Sequence, residues 1–185
     1  MITAILNNKE LLKIHKEKIE ENGVSIIIDD EYYDNGVLLK DRIANLAVDE
    51  YYNSLKQNVP PSPDNLVVID RGNNKYSIYL IELKSVGKVS RLNASNIKEK
   101  FKTAIDDFMS NRFEQCFSPA NTRIIDLNLW VVCNRFRFVG SGISDEEYLR
   151  KIKGGVMEAL LLTKPYQFRN KLSTINLILS GHTLY

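Results

Sequence analysis

The chain has 185 residues, of which 44% are hydrophobic and 26% are charged, and its formal net charge is +2. This length and composition suit one globular domain with a buried core and argue against a disordered chain. The sequence has no apolar run long enough to span a bilayer and no signal-peptide pattern, so we expect a cytoplasmic protein without a membrane partner.

The residue types that are scarce exclude several classes of site. Only His15 and His182 are present, too few for a histidine-rich metal centre or for most histidine-dependent nucleophile triads. Cys116 and Cys133 lie far apart, in or beside apolar segments, which is typical of core thiols rather than of a disulfide framework or a zinc site. A phosphate-binding loop of the GxxxxGK[ST] type is also missing.

The first part of the chain predicts two helices and a strand. Asn8–Glu21 places leucines and isoleucines among alternating charges, which indicates an amphipathic helix that ends at Asn22-Gly23. Val24–Ile28 has the composition of a strand. Leu39–Leu55 has helical periodicity, and the prolines at positions 60, 61 and 63 must end that helix.

The rest of the chain alternates between strands and helices. Two β-rich runs between Leu66 and Leu83 flank Gly72-Asn73-Asn74, a composition suited to the positive φ angles of a tight turn. Further on, we expect a helix capped by Ser95 that carries Ile97, Phe101, Ala104, Ile105, Phe108 and Met109 on one face, a strand at Asp126–Cys133, a helix from the capping box Ser144/Glu147 toward Leu162, and a strand at Ser173–Ser180. Residues 1–185 therefore predict a single α/β domain with a mixed central β-sheet flanked by helices.

The predicted hairpin brings a small charged cluster together. With the turn near Asn73-Asn74, Glu82 faces Asn65 or Asp64, whereas Asp70 faces Ser77 or Tyr76 at the far end of the hairpin. Glu82 and Lys84 are two residues apart and share a face of the strand, which Asp64 joins if the register is right. A buried strand that ends in such charges needs a partner for them, and a metal ion is the partner we expect.

These residues resemble the motif of the PD-(D/E)xK nuclease superfamily, which includes most type II restriction endonucleases, mismatch-nicking and junction-resolving enzymes, and viral cap-snatching nucleases. The chain spells Pro63-Asp64 and then Glu82-Leu83-Lys84, its single [DE]xK triplet. The resemblance spans roughly 40–133 and implies a restriction-endonuclease-like core. It implies that Asp64, Glu82 and the backbone carbonyl of Leu83 bind Mg²⁺, for which Mn²⁺ can substitute, and that Lys84 orients or activates water.

This chain differs from the usual family pattern at one strand, and it offers one residue that resembles an additional acid of the family. It usually has a further strand between its first helix and the Pro-Asp strand, a span that prolines occupy here, and Val24–Ile28 is the candidate substitute. Many members supply an extra acid from the helix before the hairpin, and Glu50 resembles it. On a helical wheel Glu50 falls inside the apolar arc and Asp49 outside it. The alternative for Glu50 is a glutamate at the edge of the arc that reaches water.

Candidate nucleic-acid contacts come from basic and amide side chains after the motif. Lys88, Arg91 and Lys100 follow it closely and could meet phosphates that flank the cut, although a solvated helix face is the plainer interpretation of neighbouring lysines. Arg135, and also Gln167, Arg169 and Asn170, lie in stretches that mix such residues with aromatics, and these side chains can read base edges in the major groove.

The sequence thus predicts a Mg²⁺-dependent endonuclease of double-stranded DNA, of the type II restriction kind. A divalent ion offsets charge on the reacting phosphate and lowers the pKa of bound water. Because a small single-site nuclease needs two sites to cut both strands, we expect a homodimer. One alternative is an RNA-directed or structure-specific nuclease of the same superfamily, for which His15 is the upstream candidate histidine. Another is a non-catalytic nucleic-acid-binding subunit in which Glu82 and Lys84 form only an ion pair.

Overall fold

The computed structural model describes residues 1–85, 92–134, 144, 146 and 164–185. The helices are α1 (Ile2–Asn7), α2 (Lys9–Lys13), α3 (Val48–Ser54), α4 (Ala94–Lys102), a π-helix at Thr103–Arg112, and α5 (Glu114–Phe117). The strands are β1 (Ile19–Glu21), β2 (Val24–Ile28), β3 (Tyr33–Asp34), β4 (Val37–Leu38), β5 (Ile43–Ala47), β6 (Asn65–Asp70), β7 (Lys75–Lys84), β8 (Arg123–Cys133), β9 (Tyr166–Phe168), β10 (Lys171–Ser173), β11 (Ile175–Leu179) and β12 (His182–Leu184). No helix within these ranges is long and apolar enough to cross a membrane.

A mixed five-stranded sheet forms the centre of the fold, in the order β11-β8-β7-β6-β5. The strand β6 is antiparallel to both of its neighbours, β5 and β7, whereas β8 is parallel to both β7 and β11. This arrangement confirms the predicted fold class, an α/β domain with a mixed central sheet flanked by helices.

Both faces of the central strand β7 are buried, as its nearly continuous apolar sequence predicts. Ile78 and Leu80 pack under the helices, together with the side chains of α4 and the π-helix. Tyr79, Ile81 and Leu83 pack against the small sheet β1-β2-β12 on the opposite face. Because the side chains of a strand alternate between its faces, Glu82 lies on the helical side with Leu80.

The predicted helix at Asn8–Glu21 is wrong. Asn8 caps only the short α2, accepting hydrogen bonds from the backbone N–H groups of Glu10 and Leu11. The chain then forms β1, which turns back into β2 through Asn22-Gly23, two residues with positive φ angles of 48° and 77°. Such a pair suits a hairpin turn as well as a helix end, so the local signal was ambiguous.

The predicted helix at Leu39–Leu55 is correct only in its last part, α3. Its first part is the strand β5, in which all five residues are buried, and which pairs with β6. A strand covered on both faces has no alternation of apolar and polar residues, and sequence periodicity then fails to separate it from a helix. β5 precedes α3 and pairs with the Pro-Asp strand β6, and the candidate substitute Val24–Ile28 forms β2 in the small sheet instead.

Three other predictions are borne out with small changes. The helix after the motif is capped by Asn93 rather than Ser95, and its predicted apolar face is buried. Cys116 and Cys133 are buried free thiols. The predicted last strand, Ser173–Ser180, contains β11, and only its first residue belongs to β10. Most of the predicted helix from Ser144 toward Leu162 lies outside the described residues.

The segment 14–16 runs along the outer edge of β5. The Lys16 N–H donates to the carbonyl of Asn45 at 2.8 Å, and the Ala47 N–H donates to the carbonyl of Ile14 at 2.8 Å. Part of the hydrogen-bonding edge of the central sheet is therefore covered by the chain's own first residues.

Candidate metal centre

The turn of the β6–β7 hairpin determines which residues meet at its far end. Gly72, Asn73 and Asn74 all have positive φ angles, and the ladder runs from Asp70 opposite Tyr76 to Asn65 opposite Ile81. Continued by one residue, this register places Asp64 opposite Glu82. The sequence had left Asn65 and Asp64 open as partners of Glu82, and the structure selects Asp64.

Two carboxylates and two ammonium groups converge at this end of the hairpin. Glu82 is fully buried, and one of its oxygens is ion-paired with Lys84. The Nζ atom of Lys100, from α4, lies 2.7 and 3.0 Å from the two Glu82 oxygens and 3.8 Å from Oδ1 of Asp64. The other Asp64 oxygen accepts a hydrogen bond from the Leu83 N–H at 2.5 Å.

The structure places Lys100 against these carboxylates rather than on an open face beside the substrate. Its side chain is 16% exposed, whereas Lys102 of the same helix is exposed. The sequence held a signal for this position: Lys100 follows the buried Ile97 by three residues and precedes the buried Ala104 by four, so it belongs to the face that packs on the sheet.

Asp64 is the member of this cluster whose charge is least well compensated. Burial, and then the neighbouring charge of Glu82, raise its pKa to about 7, although Lys100 acts in the opposite direction. For Lys100, burial lowers the pKa, but the charge of Glu82 and the hydrogen bond to it outweigh burial and raise the pKa overall. The raised pKa of Asp64 thus reflects its burial and the negative charge of Glu82, which together exceed the effect of Lys100.

The two acids of α3, Asp49 and Glu50, have different environments. Glu50 is 50% exposed and forms an ion pair of 2.7 Å with Lys16, so its predicted burial is wrong, and the alternative of a glutamate at the edge of the arc that reaches water is confirmed. Asp49 has a pKa raised first by burial, and it interacts electrostatically with Lys100. The helical wheel assumed one long helix and took part of its apolar arc from residues 43–47. Those residues form the strand β5, and α3 begins only at Val48, so the arc did not describe the buried face of α3.

A cleft of about 490 Å³ opens at the end of the sheet beside Asp64. Asp49, Asn65 and Leu83 line it from the sheet side. Six carboxylate residues and two lysines contribute to its wall: Glu17, Glu20, Glu21, Asp49, Glu50 and Asp64, with Lys16 and Lys18. The described wall is therefore acidic and would repel a phosphate group unless cations were present.

Buried amides fix one wall of the cleft. The Nδ2 group of Asn45 donates to the Lys18 carbonyl, and Nδ2 of Asn65 donates to Oδ1 of Asn45, both at 2.9 Å. The carbonyl can only accept, so it determines the orientation of both amides. These two hydrogen bonds connect the strand that follows Asp64 to the segment that carries Lys18.

The donor set fits a hard divalent cation in type, with two carboxylates close together. Both carboxylates lie near the same ammonium nitrogen, Glu82 at 2.7 and 3.0 Å and Asp64 at 3.8 Å, and carboxylate oxygens are the ligands that Mg²⁺ prefers. No group of three or more His, Cys, Asp or Glu side chains within the described ranges is arranged to hold a metal ion as it stands. A third oxygen ligand would come from the Leu83 carbonyl, or from Asp49 after a rearrangement of its side chain.

Arg169, one of the predicted base-reading residues, lies far from this cluster. Arg169 and Asn170 form the β9–β10 turn, Gln167 lies in β9, and Arg169 donates to Oγ1 of Thr122 at 2.8 Å. Thr122 directly precedes β8, whose first residue Arg123 pairs with Lys75, whereas Val131 pairs with Glu82. Eight residues of β8, roughly 26 Å, separate Arg123 from Val131. Lys88, Arg91 and Arg135 lie outside the described residues.

No family model, curated protein or solved structure matches this chain. These comparisons therefore do not test the resemblance to the nuclease superfamily, which depends on the motif residues alone.

Proposed function

We propose that the protein is a Mg²⁺-dependent endonuclease that hydrolyses phosphodiester bonds of double-stranded DNA, with a restriction-endonuclease-like core. The observation that carries this proposal is the convergence of Asp64 and Glu82 on one cation position, with Lys84 on Glu82, at the end of a central β-ribbon. The resemblance to the PD-(D/E)xK superfamily implies this set of residues in this place.

Each residue of the cluster has a distinct task in this proposal. When bound, the divalent ion supplies Lewis acidity and a water of lowered pKa. Asp64 and Glu82 hold the ion through their oxygens, and the Leu83 N–H keeps the Asp64 carboxylate oriented. Lys84 is fixed on Glu82 and is 26% exposed, so its ammonium group stands between the buried carboxylate and the solvent side, where water and a phosphate oxygen arrive.

The charge of the cleft makes the ion a condition for substrate binding as well as for chemistry. Six carboxylates and two lysines line the described wall, so a phosphate that approaches without added cations meets net negative charge. The basic residues Lys88, Arg91 and Arg135, predicted as phosphate and base contacts, would add positive charge, and they remain part of the proposal.

The proposal includes a homodimer and a cytoplasmic location. Each chain offers one cluster, and a cut through both DNA strands by such an enzyme needs two of them.

One alternative has an observation in its favour: the protein could be a nucleic-acid-binding subunit without catalysis. Two lysines already balance the two carboxylates, as in a purely structural network of ion pairs. An RNA-directed nuclease has less support, because His15 bridges to Leu46 on the outer side of β5, three strand spacings or roughly 14 Å across the sheet from β7.

The test is a plasmid-nicking assay with Mg²⁺ or Mn²⁺, run against EDTA. We expect Asp64→Asn, Glu82→Gln and Lys84→Met each to lower the nicking rate by a factor of about 100 or more. Two matched controls lie at the opposite end of the same ribbon: Asp70→Asn for the carboxylates and Lys75→Met for the lysine.

The result separates the two interpretations of the cluster. Nicking by the wild type and both controls, but not by the three site variants, supports the endonuclease. DNA that stays intact with the wild type across a mixed genomic library, at concentrations where it binds DNA, supports the binding subunit. Sequencing of the cut ends shows whether cleavage is site-specific.

A further inference from the structure

We propose that Lys100 is an internal counter-cation whose ammonium group occupies the position of the divalent ion, and that ion binding displaces it. This inference rests on the proposed metal site and assigns Lys100 a task that the resemblance does not.

The contacts of Lys100 identify the position. Its Nζ atom is within hydrogen-bond distance of both Glu82 oxygens, at 2.7 and 3.0 Å, and is also 3.8 Å from Asp64. Lys84, by contrast, is paired with one Glu82 oxygen alone. A cation shared by the two carboxylates therefore has to take the place of Lys100, while Lys84 can keep its contact.

The balance of charge also indicates that the divalent ion and the Lys100 ammonium group do not occupy the site together. Asp64 and Glu82 carry two negative charges, and Lys84 and Lys100 carry two positive charges, so the cluster is neutral without a metal. A divalent ion added beside an unmoved Lys100 would leave a buried excess of two positive charges. If the Lys100 ammonium moves toward the cleft, the ion and Lys84 remain to face the carboxylates.

The side chain of Lys100 can make this movement without any change in the fold. Its neighbours Ile97 and Phe101 are buried and hold α4 on the sheet. The flexible four-carbon stem of lysine allows the ammonium group to swing while the backbone stays in place. The displaced ammonium remains next to the cleft, where it meets the phosphate of a substrate.

The direct test is the affinity of the protein for Mn²⁺ without DNA, measured at pH 8 by electron paramagnetic resonance of free Mn²⁺. Lys100→Met removes the competing charge and keeps the length of the stem, so we expect it to bind Mn²⁺ about tenfold more tightly than the wild type. Lys102→Met, on the exposed side of the same helix, is the matched control and should bind like the wild type.

Thermal unfolding gives a second measurement. In EDTA, Lys100→Met leaves Lys84 as the only ammonium group of the cluster to face the two carboxylates. The variant should therefore unfold at a lower temperature than the wild type. Mn²⁺ should raise its unfolding temperature more than that of the wild type, because the ion replaces the missing ammonium. If Lys100→Met does not fold with or without Mn²⁺, the affinity of Lys100→Gln, which keeps a hydrogen-bond donor, decides in the same direction.

The outcomes distinguish this inference from the proposed function. Wild type that binds Mn²⁺ with Lys100→Met binding equally or more weakly overturns the counter-cation and leaves the metal site standing. Failure of both proteins to bind Mn²⁺ overturns the metal site, and the counter-cation with it. Tighter binding by Lys100→Met, with no change in Lys102→Met, supports both.

Discussion

Replacement of Asp64 by asparagine should stabilise the metal-free protein at pH 8. Burial and the charge of Glu82 raise the pKa of Asp64 from 3.8 to about 7 in the folded protein. The folded state therefore holds the proton more tightly than the unfolded state, and the wild type loses stability as the pH rises from about 4 to about 7. Asparagine is neutral at every pH, so the Asp64→Asn variant does not lose stability in this way.

The size of the effect follows from the shift. One pKa unit corresponds to about 1.4 kcal/mol, so the rise from 3.8 to about 7 corresponds to about 4 kcal/mol. For a chain of this size, that is a rise of roughly 10 °C in the unfolding midpoint. The full gain is expected above about pH 7, and it should vanish below about pH 4. The amide oxygen of the introduced asparagine remains an acceptor for the Leu83 N–H, so packing changes little.

Urea unfolding followed by circular dichroism, in EDTA at pH 4.5 and pH 8, measures this difference. Asp70→Asn is the control, because Asp70 ends the strand β6 that follows Asp64, and its side chain accepts a hydrogen bond from the Gly72 N–H of the turn. A free energy of unfolding for Asp64→Asn that exceeds the wild-type value by the same amount at both pH values would contradict the reasoning. So would a loss of stability at pH 8.

Three further predictions concern the cleft and the helix above it. Asp49→Asn should slow nicking about tenfold or more, whereas Glu50→Gln should stay within about twofold of the wild type, because Asp49 is partly buried and interacts electrostatically with Lys100, while Glu50 is exposed and paired with Lys16; equal effects would exclude Asp49 from the site. Ca²⁺ should strengthen DNA binding at least about tenfold over EDTA in a fluorescence anisotropy titration, because the described wall is acidic; binding that ignores Ca²⁺ would contradict the argument. Tyr52→Phe should lower the free energy of unfolding by about 1 to 2 kcal/mol in urea, since the buried hydroxyl donates to Asp107 at 2.7 Å; no loss would show that the contact is not stabilising.

The β-ribbon and its charged end could be predicted from the sequence because the signals are local. Gly72-Asn73-Asn74 has the composition of a tight turn, and the turn then determines the pairing of every residue along both strands. The strand β7 carries apolar residues for both faces, which marked it as central. These two features narrow the partner of Glu82 to Asn65 or Asp64, and the register of the ladder selects Asp64.

The environment of the two acids of α3 could not be predicted, because it depends on where a strand becomes a helix. Ile43–Ala47 is buried on both faces and its sequence fits a helix equally well, and the pairing with β6 decides in favour of a strand. With α3 starting at Val48, Glu50 is exposed and paired with Lys16, whereas burial raises the pKa of Asp49. Tertiary pairing thus overrode the local pattern, and the error passed directly into the predicted burial of Glu50.

The position of the β9–β10 turn could not be predicted from the sequence, for a different reason. Gln167, Arg169 and Asn170 were grouped with the motif on composition, yet composition contains no information on which end of the sheet a turn reaches. The answer lies in the parallel pairing of β8 with β7, which sends Thr122 and its partner Arg169 to the end opposite Glu82.

The cover that the segment 14–16 provides on β5 has a consequence for the handling of this protein. Its two backbone hydrogen bonds occupy groups that an open strand would offer to any other chain. Removal of the first 18 residues would expose this template and invite β-augmentation between molecules. A truncated protein should therefore associate into strand-paired aggregates that light scattering and thioflavin fluorescence detect, and any dimer it forms would say nothing about the native assembly.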